Sequence, residues 1–302
     1  MKKIPEETMK KSVVLTMTVL ALLLLTFQNV SAGKTSTRYP VVLAHGMGAS
    51  AEILGIVDYW GRIDNSLAAN GAQVYKTSVN GMDGTAAKAE DFTDQVYDIL
   101  AATGADKVNI IGHSHGTIYT RYAISNLGLA PYVASYTSIS GPHRGSSIAD
   151  IIVNGVPDWF HDEVGDSLDF IYTWIMGDDD PDSLQNALDI TTDYMINVFN
   201  PNTPNAEGVY YQSYTSKAKW SCPNIMLQAT WLIMLTQEGA NDGLVSVDSA
   251  KWGNFRGVEK GAWYSPGVDH LNIVDQAFGI TPGFNAPGFY VGLVEDLKNS
   301  GF

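Results

Sequence analysis

The chain has 302 residues with 18 basic and 32 acidic side chains, a net charge of −14. That balance argues against nucleic acid and anionic membrane surfaces as partners and favours solubility outside the cell. A single cysteine, Cys222, excludes an intrachain disulfide and a multi-cysteine metal site.

Lys2, Lys3, Lys10 and Lys11 precede an apolar run from Val13 to Phe27, and Val30-Ser31-Ala32 has the small residues of a cleavage site. The run falls short of the roughly 20 residues a bilayer span needs. Residues 1–32 are therefore expected to be a secretory signal peptide, with an uncleaved anchor as the alternative. Residues 33–302 are expected to form one large α/β domain, since no linker or internal repeat divides them. Secretion, to periplasm or medium, rests on the leader alone.

Tyr39 to Ala44 is a short apolar run ending in His45-Gly46-Met47-Gly48, the pattern of a buried parallel strand entering a glycine-rich loop. Ala72 to Val79 reads as a second strand. Phe92, Val96, Ile99 and Leu100 fall at helical spacing between Ala87 and Ala101, opposite Glu90, Asp91, Asp94 and Asp98, and Gly104 ends that helix. Lys107 to Ile111 is a strand, Gly112 to Gly116 a turn, Ile118 to Leu127 a helix and Val133 to Ile139 a strand. Such alternation predicts a parallel sheet covered on both faces. The regularity stops after Gly145. Val156 to Met176 is rich in aromatic residues, and Asp180-Pro181 reads as the start of a second helix continued by Leu184, Leu188, Met195 and Phe199. Residues 147–205 are read as a helical insertion over the carboxyl edge of the sheet, with ordinary core cover as the alternative. Alternation resumes weakly around Val209 to Tyr214.

Gly112-His113-Ser114-His115-Gly116 fits Gly-x-Ser-x-Gly between a buried strand and a helix, the context that a nucleophile elbow requires. The glycines permit a strained turn that lifts the Ser114 hydroxyl clear of the sheet, and the following helix aims its N–H groups at a developing oxyanion. The loop at His45-Gly46-Met47-Gly48 exits the first strand at the same edge and offers the N–H of Met47 as partner to that of His115. A serine needs a base held in one tautomer by a third group, in the chain order serine, acid, histidine. Of the downstream histidines, His143 sits between Pro142 and Arg144 just past a strand and His161 falls in the aromatic insertion, so His270, on a late loop, is preferred. Asp242, in the turn Asn241-Asp242-Gly243-Leu244-Val245, is preferred as the acid over Asp248, Asp269 and Asp275. The pair His113 and His115 lacks further metal ligands, and Asp178-Asp179-Asp180 lacks the glycine and glutamate of a calcium loop.

The stretch from Tyr39 to Asp150 resembles the bacterial family I triacylglycerol lipases, the true lipases of pseudomonads and Proteus. The motifs that carry the resemblance are Tyr39 to Met47, Asp58-Tyr59-Trp60, Gly71-Ala72-Gln73-Val74-Tyr75 and the Ser114 elbow. Pro142-His143-Arg144-Gly145-Ser146, Asn241 to Val245 and Asp269-His270-Leu271 add to it. The resemblance implies an α/β-hydrolase fold, with a mostly parallel central sheet, helices on both faces and a helical lid insertion. It implies Ser114, Asp242 and His270 as triad, Met47 and His115 N–H groups as oxyanion hole, and lipid esters at an oil–water interface as substrate. The family's structural calcium uses an aspartate where this chain has Asn272 and an upstream aspartate whose place falls near Cys222-Pro223. Gln276 keeps the third position and Ile280 offers a carbonyl. Two missing carboxylates weigh against calcium, and the chemistry itself needs no cofactor. The rival expectations are a short-chain carboxylesterase or polyester hydrolase and, from another class, a non-catalytic binding protein of the same fold.

Overall fold

The computed structural model describes residues 33–47, 52–53, 57–154, 181–276 and 281–302. The expected leader, the aromatic part of the insertion with His161, the Asp178-Asp179-Asp180 run and Ile280 lie outside the described residues.

Six strands form the main sheet among the described residues: β1 (Val41–Ala44), β2 (Val74–Lys76), β3 (Val108–His113), β4 (Val133–Ile139), β5 (Tyr210–Ser216) and β6 (Asn254–Glu259). Their order is β2-β1-β3-β4-β5-β6 and every pairing is parallel. The chain thus steps outward from β1 to β2 and returns to the other side of β1 at β3. That reversal opens a crevice at the carboxyl ends of β1 and β3, where open α/β sheets place their ligands. The register brings Ala44 opposite Gly112, and β4 sets Ile139 opposite His113. The loops that leave β1 and β3 therefore start side by side.

Strand side chains alternate between two cores, as a pleat with period two requires. Val41, Leu43 and Ile111 pack with Trp60 and Ile63 and with Tyr290, Leu293 and Val294 on one face. The helices there are α1 (Ile63–Ala69) and, at the end of the chain, Ala286–Asn299. Val42, Ala44, Val108 and Ile110 face Phe92, Val96, Tyr119 and Ala123 on the other, supplied by α2 (Thr85–Thr103) and α3 (Gly116–Asn126). The expected helix around Phe92 is longer by two residues at each end. Gly104 closes it with φ of 67°, a left-handed conformation that costs glycine no Cβ clash.

The described parts of residues 147–205 are largely helical, but the expected second helix is not continuous. After α4 (Ser147–Asn154) the described chain resumes with α5 (Pro181–Leu188), which stops short of Met195 and Phe199. Those two side chains belong to a separate helical run over residues 192–202 with a wide π turn at Met195–Phe199. The break has a cause that periodicity does not carry. The Asp150 carboxylate takes the Thr192 N–H at 2.8 Å and the Thr192 hydroxyl at 2.7 Å, so a new helix starts there. The Ile190 carbonyl is meanwhile claimed by the Ser146 N–H at 3.0 Å. Ile148, Ala149, Ala187, Ile190, Met195 and Phe199 share one core with Met47 and Ile118. The described helices of the insertion thus pack directly on the edge where β1 and β3 end. The rest of the domain follows with α6 (Gln228–Gln237) and α7 (Ala286–Asn299).

Candidate active site

Ser114 follows the last residue of β3 and has φ of 55°. A left-handed serine costs on the order of 1–3 kcal/mol and persists only where its surroundings enforce it. Here the Ser114 N–H donates to the Ile139 carbonyl at 3.0 Å, and the Ser114 carbonyl accepts from the Thr117 N–H at 3.0 Å and the Thr117 hydroxyl at 2.7 Å. The flanking glycines are steric necessities. A Cβ on Gly112 would lie 2.8 Å from the Gly116 carbonyl oxygen, and one on Gly116 would strike the carbonyls of Ala44 and His45. The helix after the serine can enter over β1 only because residue 116 has no side chain.

The loop leaving β1 is held from several sides. The His45 ring bridges the Gly46 carbonyl (Nδ1, 2.9 Å) and the Val79 N–H (Nε2, 3.1 Å), and the Tyr119 hydroxyl donates to the His45 carbonyl at 3.0 Å. Burial is the main reason the His45 ring stays neutral, with a pKa lowered to about 4. A Cβ on Gly46 would lie 2.7 Å from the Tyr59 hydroxyl and 2.8 Å from the Ser114 Cβ. Met47, the expected oxyanion donor, is buried and lines one small cavity with Ser114, Ile148, Ala149, Ile190, Leu244 and Val245.

Asp242 and His270 are fully buried and in contact, with Nδ1 and Oδ2 2.9 Å apart. The backbones reinforce the pair, since the His270 N–H donates to the Asp242 carbonyl at 2.9 Å. The other carboxylate oxygen, Oδ1, accepts from the N–H groups of Leu244 at 3.1 Å and Val245 at 2.8 Å. Gly243, at φ of 103°, makes this turn possible. The competing acids have other work. Asp269 accepts from the N–H groups of Leu271 (3.0 Å), Asn272 (2.8 Å) and Asn224 (2.7 Å), which ties the His270 loop to the segment after Cys222. Asp275 pairs with Arg62, and Asp248 with Lys251 at the surface. His143, the alternative base, is enclosed by Ser138 (2.7 Å), Arg121 (3.2 Å) and the stacked Trp252 ring.

Both histidines beside Ser114 are engaged by other side chains. The His113 Nδ1 bonds the Tyr59 hydroxyl, and its ring centroid lies 4.5 Å from that of His270. Burial holds His113 well below the ordinary histidine range, and charge on His270 pushes it the same way. The side chains of His115 and Lys88 meet on the far side of the turn, a contact that the sequence reading missed. The signal was available, because Lys88 stands four residues before Phe92 and eight before Val96, on the apolar stripe of α2. Nothing in the spacing of Tyr59 along the sequence connects it with His113.

The described positions implied for calcium, Asn272 and Gln276, do not fit a hard cation. Asn272 Oδ1 accepts the Thr281 hydroxyl at 2.6 Å, and the Gln276 amide donates to the carbonyls of Asp58 and Tyr59. The Asp275 carboxylate in the same surface depression is matched by the Arg62 guanidinium. Among the described residues no group of three or more His, Cys, Asp or Glu side chains converges as a metal site.

Residues 39–169 match the family model described as the alpha/beta hydrolase fold. The order of the sheet and its all-parallel pairing agree with that fold. The sequence is 44% identical over 121 residues to a triacylglycerol lipase of Pseudarthrobacter phenanthrenivorans, covering 39% of this chain and 37% of that protein. It is also 44% identical over 126 residues to one of Vibrio cholerae (41% of this chain, 39% of that protein). A match of 28% identity to triacylglycerol lipase 2 of Saccharomyces cerevisiae extends over 82% of this chain and 75% of that protein. The chain thus spans little more than a third of the length of the bacterial relatives. Among solved structures, Staphylococcus hyicus lipase superposes with a TM-score of 0.65 at 16% identity, covering 90% of this chain and 98% of that one. Mature Bacillus licheniformis lipase does so with 0.63 at 19% identity, covering 87% and 93%. At those identities the likeness is one of fold.

Proposed function

We propose that the protein is an exported carboxylic ester hydrolase acting on lipid esters, a triacylglycerol lipase, with Ser114 as nucleophile. The observation that carries the reading is the fully buried Asp242–His270 pair at the sheet edge where Ser114 is held at positive φ. His270 takes the Ser114 proton as Oγ attacks the ester carbonyl, and Asp242 keeps the histidine in the tautomer whose Nε2 can accept. The N–H groups of Met47 and His115 hold the tetrahedral oxyanion, each contributing on the order of 3 kcal/mol. His270 then protonates the leaving alcohol. Water attacks the acyl-enzyme by the same route, releasing the acid and restoring Ser114.

Residues 147–205 act in this reading as the cover of the site. The cavity beside Ser114 has a volume of about 20 Å³, room for about one water molecule. An acyl chain enters only when Ile148, Ala149 and Ile190 retreat. The leader, residues 1–32, directs export.

Ser114→Ala is expected to abolish hydrolysis of p-nitrophenyl esters and labelling by a fluorophosphonate while leaving the circular dichroism spectrum unchanged; retained turnover refutes the assignment. The small cavity favours one second reading, a hydrolase of short acyl esters whose cover never retreats. Rates on acetate, octanoate and oleate esters, above and below micelle formation, separate the two. A rate jump at the interface with long chains preferred selects the lipase.

A further inference from the structure

Behind His115 lies a buried polar cluster that the acyl-transfer steps leave unused. Lys88 is 1% exposed. Its ammonium meets three groups: the Gly81 carbonyl at 2.8 Å, the Asn186 Oδ1 at 2.8 Å and the His115 Nδ1 at 3.0 Å. An ammonium has three N–H groups and accepts nothing, so these contacts account for all of them. His115 Nδ1 must then accept, which leaves Nε2–H to donate to the Thr85 hydroxyl at 2.8 Å. Thr85 opens α2, and its N–H is taken by the Asp189 carboxylate at 2.6 Å; Asp189 also accepts from Gln185 at 2.7 Å. Asn186 closes the circuit by donating to Gly81 at 3.1 Å.

The partners come from three places: the loop before α2, the residue after Ser114, and residues 185–189 at the end of α5. Both ring nitrogens of His115 are fixed, and the ring stands edge-on to Tyr119. A side chain gripped at both nitrogens fixes its own backbone, and the His115 backbone is the one expected to face the oxyanion. Burying a lysine is costly, and burial lowers its pKa to about 7 even though Asp83 and Asp189 favour the charged form. An apolar side chain at position 88 would continue the stripe of Phe92 and Val96 without that cost.

We propose that Lys88 is a positioning residue that ties residues 185–189 of the insertion to His115 and thereby sets the His115 N–H on the oxyanion. The proposal rests on the acyl-transfer reading above. It makes the efficiency of the oxyanion hole depend on where the insertion sits, because a retreating α5 withdraws Asn186 from Lys88 and Asp189 from Thr85.

The test uses the full chain with K88M, N186A and the double variant. A fluorophosphonate counts competent Ser114 sites, so kcat is expressed per titrated site. K88M is expected to lower kcat about tenfold with KM changed by less than about twofold, the pattern of an interaction made in the transition state. The double variant is expected to lose no more than K88M alone, since both substitutions cut one network. On the matching thionoester, whose sulfur an oxyanion hole holds poorly, the K88M loss is expected to shrink below about threefold. A merely structural lysine predicts fewer titrated sites with unchanged kcat per site and equal losses on both esters. Either result overturns the proposal. Should K88M fail to fold, N186A decides alone: a per-site loss of about threefold or more supports the proposal, and an unchanged kcat overturns it. A wild-type chain that neither labels nor turns over refutes the acyl-transfer reading instead, a result distinct from every one above.

Discussion

Asp242→Asn tests the triad with the least disturbance, because the carboxylate divides its work between its two oxygens. Oδ1 holds the N–H groups of Leu244 and Val245, and Oδ2 faces the His270 Nδ1 at 2.9 Å. An asparagine can keep the turn only with its oxygen at the Oδ1 position, since the opposite orientation sets an NH₂ against two N–H donors. Its nitrogen must then face His270, so Nδ1 becomes an acceptor and the proton moves to Nε2. A histidine in that tautomer cannot take the Ser114 proton. The expected loss in kcat is about 10⁴-fold, or roughly 5.5 kcal/mol at 1.36 kcal/mol per decade. The fold should suffer far less, on the order of 2 kcal/mol for one lost charge-assisted bond. Asp242→Ala should cost a further 1–3 kcal/mol or so by stranding the two turn N–H groups. Initial rates on p-nitrophenyl butyrate and urea unfolding of both variants give the numbers. An Asp242→Asn enzyme within about tenfold of wild type would refute the tautomer argument.

Gly46→Ala drives a methyl group between the Tyr59 hydroxyl and Ser114 at 2.7 and 2.8 Å. It should cut kcat/KM by about 10²-fold or more, as displacement of an oxyanion loop does, with little change in the melting curve. Asp269→Ala strands the N–H groups of Asn224, Leu271 and Asn272. It should cost about 2–4 kcal/mol in denaturant unfolding and lower kcat as the His270 loop loosens, whereas wild-type stability in that variant would separate Asp269 from the loop. Acid should destabilise the fold steeply. Burial holds His45 down to about 4 and His113, His115 and His143 well below the usual histidine value of 6.5. Between pH 6.5 and 4.5 the unfolded chain takes up protons that the folded chain refuses, so stability falls as pH falls, by up to about 1.4 kcal/mol per pH unit for each histidine. Chemical unfolding at half-unit steps of pH measures the slope, and a flat profile would show that these rings accept charge in the folded state.

The parallel sheet was legible because its central strands are short and buried on both faces: β1 is an unbroken apolar run, and β3 and β4 are rich in β-branched and aromatic residues. Val133–Ile139 matches its expected bounds residue for residue. β2 is shorter than expected, at three residues against an eight-residue run, because beyond Thr77, which still donates to the Leu43 carbonyl of β1, the backbone donors turn to side chains: Ser78 N–H to Gln95 and Val79 N–H to His45. β6 was not foreseen at all. It is an edge strand with alternating exposure and an interior glycine, Gly257, and it lacks the hydrophobic run that marks a strand buried on both faces.

Around Ser114 the boundary of legibility follows the kind of force involved. Gly112, Gly116 and the Gly-Met loop report backbone geometry, which a glycine spells out in one letter. The contacts Lys88–His115, Tyr59–His113 and Asp150–Thr192 are side-chain pairs between segments far apart in the chain, and a single sequence does not encode who meets whom. Lys88 is the instructive case. A lysine on the apolar stripe of α2 is a local contradiction, and such contradictions between local pattern and burial collect at sites where function outweighs stability. The contradiction therefore identified a residue worth explaining, while only the fold supplied its partners. That His115, one residue beyond the nucleophile, meets α2 directly and the insertion only through Lys88 and Thr85 follows from the reversal of strand order at β1 and β3. The reversal brings the helix after β3 against the exit of β1 and leaves the insertion as the layer above both.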